Sequence, residues 1–255
     1  MTGTLTIVGV GPGRPELMTP AASEAIAAAT DLIGYGPYLD RVTANRAGQV
    51  RHASDNRVEL DRARHALILA SSGRQVAVVS GGDPGVFAMA AAVFEAVEAG
   101  PSEWRGLDIR VEPGVTAMLA AAAEVGAPLG GDFCAISLSD NLKSWATISR
   151  RLEAAAAADF VIALYNPLSK ARPHQLGQAF ALLRTVKSPA TAVVMVRAAG
   201  SGEARSIITT LGEVDPESAD MRTLVLIGST ATRLIPREGK RPFVYTLRRE
   251  VEGDR

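Results

Sequence analysis

Two glycine- and proline-rich loops, each directly after an apolar run, hold the residue types best suited to chemistry in this sequence. Thr4-Leu-Thr-Ile-Val8 leads into Gly9-Val-Gly-Pro-Gly13, and Val76-Ala-Val-Val79 leads into Ser80-Gly-Gly-Asp-Pro-Gly85. Glycine lets a backbone approach a bound molecule closely, and proline fixes the turn that presents it. At the strand ends of a parallel α/β sheet such loops line the ligand crevice, so a small-molecule enzyme is the first expectation. The first loop is spaced G-x-G-x-G rather than G-x-G-x-x-G, and Pro12 removes an amide where an anion site needs one. Asp31, on a short apolar run, could mimic a ribose-binding acid and keeps a nucleotide-dependent oxidoreductase as an alternative. Neither loop contains Gly-Lys-Ser or Gly-Lys-Thr, so the P-loop reading fails.

Within the second loop, Asp83 stands between Gly82 and Pro84. Its carboxylate could accept from loop amides or from a ligand hydroxyl or amine. Thr116-Ala117 could open a helix beside a ligand, and a plain cap accounts for Thr116 equally well. The single cysteine, Cys134, excludes an internal disulfide framework. His52, His65 and His174 are scattered along the sequence, so no protein-held metal is expected.

Charge narrows the function classes. The 255 residues carry 27 basic and 27 acidic side chains, a formal net charge of zero, with no long run of either sign. That balance speaks against general nucleic-acid or membrane-surface binding and leaves room for a local basic pocket. No segment approaches the ~18 uninterrupted apolar residues of a membrane helix. A strand begins almost at once, without the basic region and apolar run of a signal peptide. A cytoplasmic location is the expectation.

The elements that must position these residues alternate between strand and helix. Helices are predicted over 20–30, from a cap at Asp55 to Gly73, over 116–125, 144–158 and 173–186. A further helix after the second loop is predicted to place Phe87, Ala90, Ala91 and Phe94 on one face. In the helix over 173–186, Leu176, Phe180 and Leu183 share a face. Strands are predicted at 4–8, 31–33, 76–79, 107–111, 160–164, 191–196 and 223–227, with an edge strand at 243–247. Residues 113–131 read as a junction, broken by Pro128-Leu-Gly-Gly131. Two packed α/β halves fit this pattern better than one uninterrupted doubly wound domain.

Taken together and in order, the motifs carry a family resemblance over nearly the whole chain. They are Val8-Gly-Val-Gly-Pro-Gly-Arg-Pro-Glu-Leu-Met-Thr19, Ile33-Gly-Tyr-Gly-Pro-Tyr-Leu39, Ser80-Gly-Gly-Asp-Pro-Gly-Val-Phe-Ala-Met89 and Val111-Glu-Pro-Gly-Val-Thr-Ala117. Two longer stretches are more specific: Gly131-Asp-Phe-Cys-Ala-Ile-Ser-Leu-Ser-Asp140 and Phe160-Val-Ile-Ala-Leu-Tyr-Asn-Pro-Leu-Ser-Lys170. The chain resembles the tetrapyrrole methylases. Within that family it is most similar to the branch that methylates C17 of precorrin-3B in cobalamin biosynthesis, with ring contraction to precorrin-4. A cobalt-containing substrate, or another ring carbon, is the alternative.

The resemblance implies two α/β domains, 1–113 and 114–255, with S-adenosyl-L-methionine bound in a cleft between them, in a homodimer. It implies cofactor contacts at Gly82, Asp83, Val86 and Phe87, with Thr116 and Ala117 on the far wall. Tyr165, Asn166, Arg197 and Ala198 complete that set, and Pro12 lines the tetrapyrrole side. The substrate is a multiply carboxylated ring, and guanidinium groups engage carboxylates with paired hydrogen bonds. Arg14, Lys170, Arg172 and Arg205, with Arg197, are the candidate cations. Two departures from the family pattern stand out: residues 198–202 lack an asparagine common after the arginine, and the tail at 245–248 varies. No side chain is assigned to a proton step, and His174, read as one turn into a helix, is not named as a base.

Overall fold

The structure, a computed structural model, describes residues 3–42, 47–55 and 58–249. These residues form two compact units, Met1–Ala117 and Met118–Arg255.

The first unit is built on β1 (Thr4–Gly9), α1 (Pro20–Ala28), β2 (Asp31–Tyr35), α2 (Gly36–Leu39) and β3 (Val50–Ser54). It continues with α3 (Glu59–Ser71), β4 (Gln75–Ser80), α4 (Met89–Ala99) and β5 (Asp108–Glu112). All five strands run parallel in the order β3-β2-β4-β1-β5. Such a sheet is covered on both faces, which is why Val76–Val79 of β4 read as a continuous apolar run and Leu5, Ile7 and Val8 of β1 are all buried. Leu5, Ile7, Val76 and Val78 pack against Ala63, Ala66 and Leu67 of α3 and Val93 of α4. Val8, Val10, Ala77 and Val79 point the other way, against Ala22 and Ile26 of α1. Thr19 starts α1 by accepting from the Ala22 amide at 3.1 Å, with Pro20 in the first turn.

Strand order also locates the crevice. β1 connects onward to β2, on the far side of β4, while β4 connects to β5, on the far side of β1. The connections diverge between these two neighbours, and a doubly wound sheet binds ligands at the carboxyl ends of such a pair. Both glycine loops stand there.

The second unit begins within α5 (Ala117–Val125), followed by β6 (Gly126–Ala127), β7 (Phe133–Ser137), α6 (Trp145–Ala157) and β8 (Val161–Tyr165). Then come α7 (Gln175–Leu183), β9 (Ala192–Arg197), β10 (Arg205–Thr210), β11 (Thr223–Ile227), β12 (Thr232–Arg237) and β13 (Lys240–Thr246). Its main sheet has the order β10-β9-β11-β8-β7, with only the β7–β8 pair parallel. Ile148 and Leu152 of α6, with Leu176, Phe180 and Leu183 of α7, pack with Ile162, Leu164, Met195 and Val225 into its core. Ala155 and Ala156 lie in the same core, which accounts for the small side chains at the end of α6.

Several expectations are corrected. Asp55 does not cap α3; the cap position is Val58, without a side-chain bond, and the Asp55 carbonyl instead accepts from Arg62. α4 starts at Met89 and buries Met89, Ala90, Val93 and Ala96, whereas Phe87 precedes it and Phe87, Ala91 and Phe94 are exposed. β13 is no edge strand: it lies between β12 and the two-residue β6. His174 stands at the N-terminal cap position of α7 rather than one turn in.

Candidate active site

The loops after β1 and β4 are stitched to each other. Gly82 N donates to Gly11 O at 2.8 Å, and Gly11 N donates to Gly82 O at 3.2 Å. Both glycines hold left-handed backbone, φ +70° at Gly11 and +68° at Gly82, which costs other residues about 1–2 kcal/mol. A third loop joins them after β5. The Asp83 carboxylate accepts from Gly85 N at 2.8 Å and, through its other oxygen, from Gly114 N at 3.0 Å. The bonding to loop amides expected of Asp83 is present. A Cβ on Gly114 would collide with the Gly82 carbonyl and the Gly9 backbone. Gly9, Gly82 and Gly114 therefore pack backbone against backbone at three neighbouring strand ends.

Sequence reasoning missed the clamp on this arrangement. A single guanidinium nitrogen of Arg41, Nη2, donates toward the carbonyls of Val10, Gly11 and Gly13 at 2.9–3.1 Å. Pro12 is thus fixed on a loop whose neighbouring carbonyls are tied down. Tyr38 lies against Gly81, where any side chain would strike its ring. Burial raises the Tyr38 pKa above the ordinary value, although the nearby cations Arg41 and Arg62 pull the other way. Tyr38 lies in the motif Ile33–Leu39, but nothing in the spacing singles out Arg41, because it acts through a fold that brings β2 beside β4.

Around Gly82 the chain leaves room. A Cβ there would meet nothing nearer than 3.8 Å, with Thr116 Cα, Ala117 N and Val115 O as its neighbours. Thr116 is buried, Asp83 and Val86 are half-buried, and the ring of Phe87 is half exposed at a φ of +52°. Arg14 is exposed.

In the second unit the candidates again stand at strand ends. Tyr165 closes β8, and its Oη accepts from the Met118 amide in the first turn of α5 at 3.1 Å. Asn166 follows with φ +52° and donates through Nδ2 to Ser137 Oγ, at the end of β7, at 2.9 Å. Arg172 is buried, and its Nη1 donates to the Asn166 carbonyl at 3.2 Å, so this cation braces the loop itself. Lys170 is exposed at the turn where Ser169 and Arg172 pair. Arg197 ends β9 and Ala198 follows at φ +51°. Arg205 lies directly across the ladder from Arg197. That like-charged pair is relieved by Asp220, whose Oδ2 accepts from Arg197 Nε at 2.7 Å. Burial pushes the Asp220 carboxyl up, but the Thr223 hydroxyl, the Arg197 guanidinium and the Arg222 amide outweigh it and lower the pKa. Phe87, Asn166 and Ala198 are three of the four non-glycine residues with left-handed backbone among the described residues. Such strain collects where the surroundings dictate a loop's shape, as at ligand sites.

The histidines are less scattered than their numbering suggests. The rings of His52 and His65 meet edge to face with centroids 4.8 Å apart, and His52 Nε2 donates to buried Asp31 at 3.0 Å. Asp31 is committed to that contact and to Arg74. It ends no glycine loop, and the oxidoreductase alternative loses its acid. Among the described residues no group of three His, Cys, Asp or Glu side chains could hold a metal ion. Nor is any helix among them long and apolar enough to cross a membrane.

Comparison with known proteins gives a consistent picture. The family model for Tetrapyrrole (Corrin/Porphyrin) Methylases matches residues 4–215. A protein of Sinorhizobium sp named precorrin-3B C(17)-methyltransferase is 59% identical over 248 residues, covering 97% of each chain. A Salmonella typhimurium protein named probable cobalt-factor III C(17)-methyltransferase is 41% identical, over 95% of this chain and 100% of that one. The crystal structure of the methyltransferase CobJ superimposes with a TM-score of 0.91 at 52% identity, covering 96% of this chain and 100% of that one.

Proposed function

The chain belongs to the tetrapyrrole methylases, and from that premise we propose that it transfers a methyl group from S-adenosyl-L-methionine to C17 of precorrin-3B in cobalamin biosynthesis. The observation that carries this reading is the 59% identity, over 97% of both chains, to a protein of that name. Ring contraction to precorrin-4 accompanies the transfer. The enzyme works as a homodimer, in the cytoplasm, without nucleic acid.

The residues present suit the cofactor. Gly82 leaves open the space that a Cβ would fill beside Thr116 and Ala117, and the Phe87 ring offers exposed apolar surface nearby in sequence. When bound, S-adenosylmethionine supplies a methyl group on a cationic sulfur, an electrophile whose leaving group is a neutral thioether. The chain's own task is then alignment, because a reaction between two held partners gains most from orientation. Gly82, Asp83, Val86, Phe87, Thr116, Ala117, Tyr165, Asn166, Arg197 and Ala198 are the groups proposed to hold the cofactor. Asp83 acts through the loop amides it binds, and Tyr165 through the α5 amide it accepts from. Pro12, with Arg14, Lys170, Arg172 and Arg205, is proposed to meet the substrate. Of these cations, Arg172 already braces its own loop and serves mainly to shape it.

The cobalt-containing substrate is the second reading, favoured by the 41% identity to the Salmonella protein over its full length. Incubation with methyl-labelled S-adenosylmethionine and either precorrin-3B or cobalt-factor III separates the two. Mass and nuclear magnetic resonance of the product report methyl addition and the ring skeleton. Labelling at C17 of precorrin-3B supports the first reading; labelling of cobalt-factor III alone moves the assignment to the second. No transfer to either rejects both.

A further inference from the structure

Arg62 is a buried cation with no ion-pair partner among the described residues; burial lowers its pKa, and Glu59 opposes that from beyond ion-pair distance. It lies in the first turn of α3 and is 5% exposed. Its Nε donates to Ser54 Oγ at 2.8 Å and its Nη2 to the Asp55 carbonyl at 2.6 Å. Among the described residues Nη1 meets only the thioether of Met89, at 3.2 Å, a weak acceptor. Among the described residues it makes no ion pair within 4 Å. A buried charge is ordinarily paired, and a guanidinium has five N–H groups to satisfy. Two of them lie beyond these three contacts.

Beside it opens a cavity of about 360 Å³, lined by Arg62 with Ile33, Arg51, His52, Ser54 and His65. The carboxylate in its lining, Asp61, is largely exposed and bridges Arg64 at 3.1 Å. Arg51 turns its guanidinium to the carbonyls of Leu39 and Val42. The site thus offers N–H donors and positive charge with little acceptor capacity. Its position matters as much as its chemistry. Ser54 ends β3, and because all five strands are parallel, this is the edge of the sheet that carries the glycine loops. Tyr38, which lies against Gly81, feels the charge of both Arg41 and Arg62.

We propose that Arg62 and its cavity receive a carboxylate of the tetrapyrrole substrate, in addition to the contacts assigned above. The inference rests on the substrate class of the preceding section. The shared chemistry is an oxyanion, which free phosphate would also present, and the experiment separates these sources.

The probe is uroporphyrin III, a stable polycarboxylated ring, titrated by fluorescence into wild type, Arg62→Gln and Arg62→Lys. S-adenosylmethionine affinity is measured on the same samples. Arg62→Gln is expected to weaken porphyrin binding about 10–100-fold, the worth of a charged hydrogen bond. Arg62→Lys keeps the charge but not the planar fork, so its loss is smaller. The porphyrin methyl ester should bind all three proteins alike, and cofactor affinity should not change. Unchanged porphyrin affinity in Arg62→Gln overturns the proposal. So does a parallel loss of cofactor affinity, which marks a structural role. Phosphate raising the melting temperature of wild type but not of Arg62→Gln, with porphyrin binding unaffected, assigns the cavity to a free anion and equally overturns it. If Arg62→Gln does not fold, the Arg62→Lys comparison between porphyrin and ester decides. Wild type that binds porphyrin but transfers no methyl to precorrin-3B rejects the proposed reaction while leaving this inference standing.

Discussion

Gly11 and Gly82 exchange backbone hydrogen bonds, each donating to the other's carbonyl, at 2.8 and 3.2 Å. This two-residue bridge joins the loops after β1 and β4 at the point where the strand connections diverge. It requires left-handed backbone on both sides; at Gly82 that alone explains the glycine, whereas at Gly11 a Cβ would also strike the Leu17 carbonyl. Gly114, by contrast, is needed for its missing side chain, because its Cβ position is filled by the Gly82 carbonyl.

The two glycines should therefore fail differently. In Gly82→Ala the new methyl meets only ordinary contacts, so the cost is the dihedral alone, about 1–2 kcal/mol. The protein should fold, with S-adenosylmethionine affinity reduced because the loop shifts. Gly114→Ala drives a methyl into two backbones and should cost distinctly more stability. Urea melts of both variants with calorimetric cofactor titration check this. A Gly114→Ala protein as stable as Gly82→Ala would contradict the packing argument.

Asp83→Ala removes the acceptor for two loop amides at once and leaves Gly114 N without its partner. Charged hydrogen bonds contribute roughly 1.5–3 kcal/mol each. Cofactor affinity is expected to fall by about one to two decades, together with a lower melting temperature. Asp83→Asn keeps an acceptor for only one of the two amides and should lie between. Calorimetry and thermal melts on the pair provide the measurement, and wild-type affinity in folded Asp83→Ala would show the carboxylate to be peripheral.

Arg41→Met strips three loop carbonyls of one donor. Its side chain is partly buried, and burial lowers its pKa. The expected loss is about 2–3 kcal/mol of stability. Hydrogen exchange should accelerate at the amides of Val10, Gly11 and Gly13 more than in the α6 core. Uniform exchange across the chain would mean that Arg41 supports the fold at large and not this loop.

The motifs at Gly9–Gly13, Ser80–Gly85 and residues 113–117 announced the glycine contacts because close backbone approach leaves a local trace in residue type. The strands β4 and β11 were equally plain, since burial on both faces writes a continuous apolar run. β3, β10 and β12 left no such run: none of their residues is fully buried, so their patterns carry no continuous apolar signal. Arg41, Arg62 and Asp220 escaped for another reason. A lone cation's partner is chosen by topology, and spacing along the chain does not encode it.

Asp31 offers a test in which pH gives the sign. Its side chain is 2% exposed. Burial pushes the carboxyl up, yet Arg74, Thr30 and His52 donate to it and together bring its pKa down from 3.8 to about 2. A carboxyl depressed on folding contributes stability that is complete above its unfolded pKa and is lost as pH falls through the folded value. The window here runs from about pH 4 down to about pH 2. A shift of this size corresponds to the order of 2 kcal/mol at neutral pH. Asp31→Asn keeps the shape but not the charge, and should be less stable than wild type by about that amount at pH 7 and at pH 5. The difference should shrink as the melts are repeated at pH 4 and pH 3. The variant also frees His52 and Arg74, at the far end of β2 from Tyr35, so cofactor affinity should hold. A stability difference that stays constant down to pH 3 would mean that the Asn variant loses packing rather than the ionised contact with Arg74 and His52.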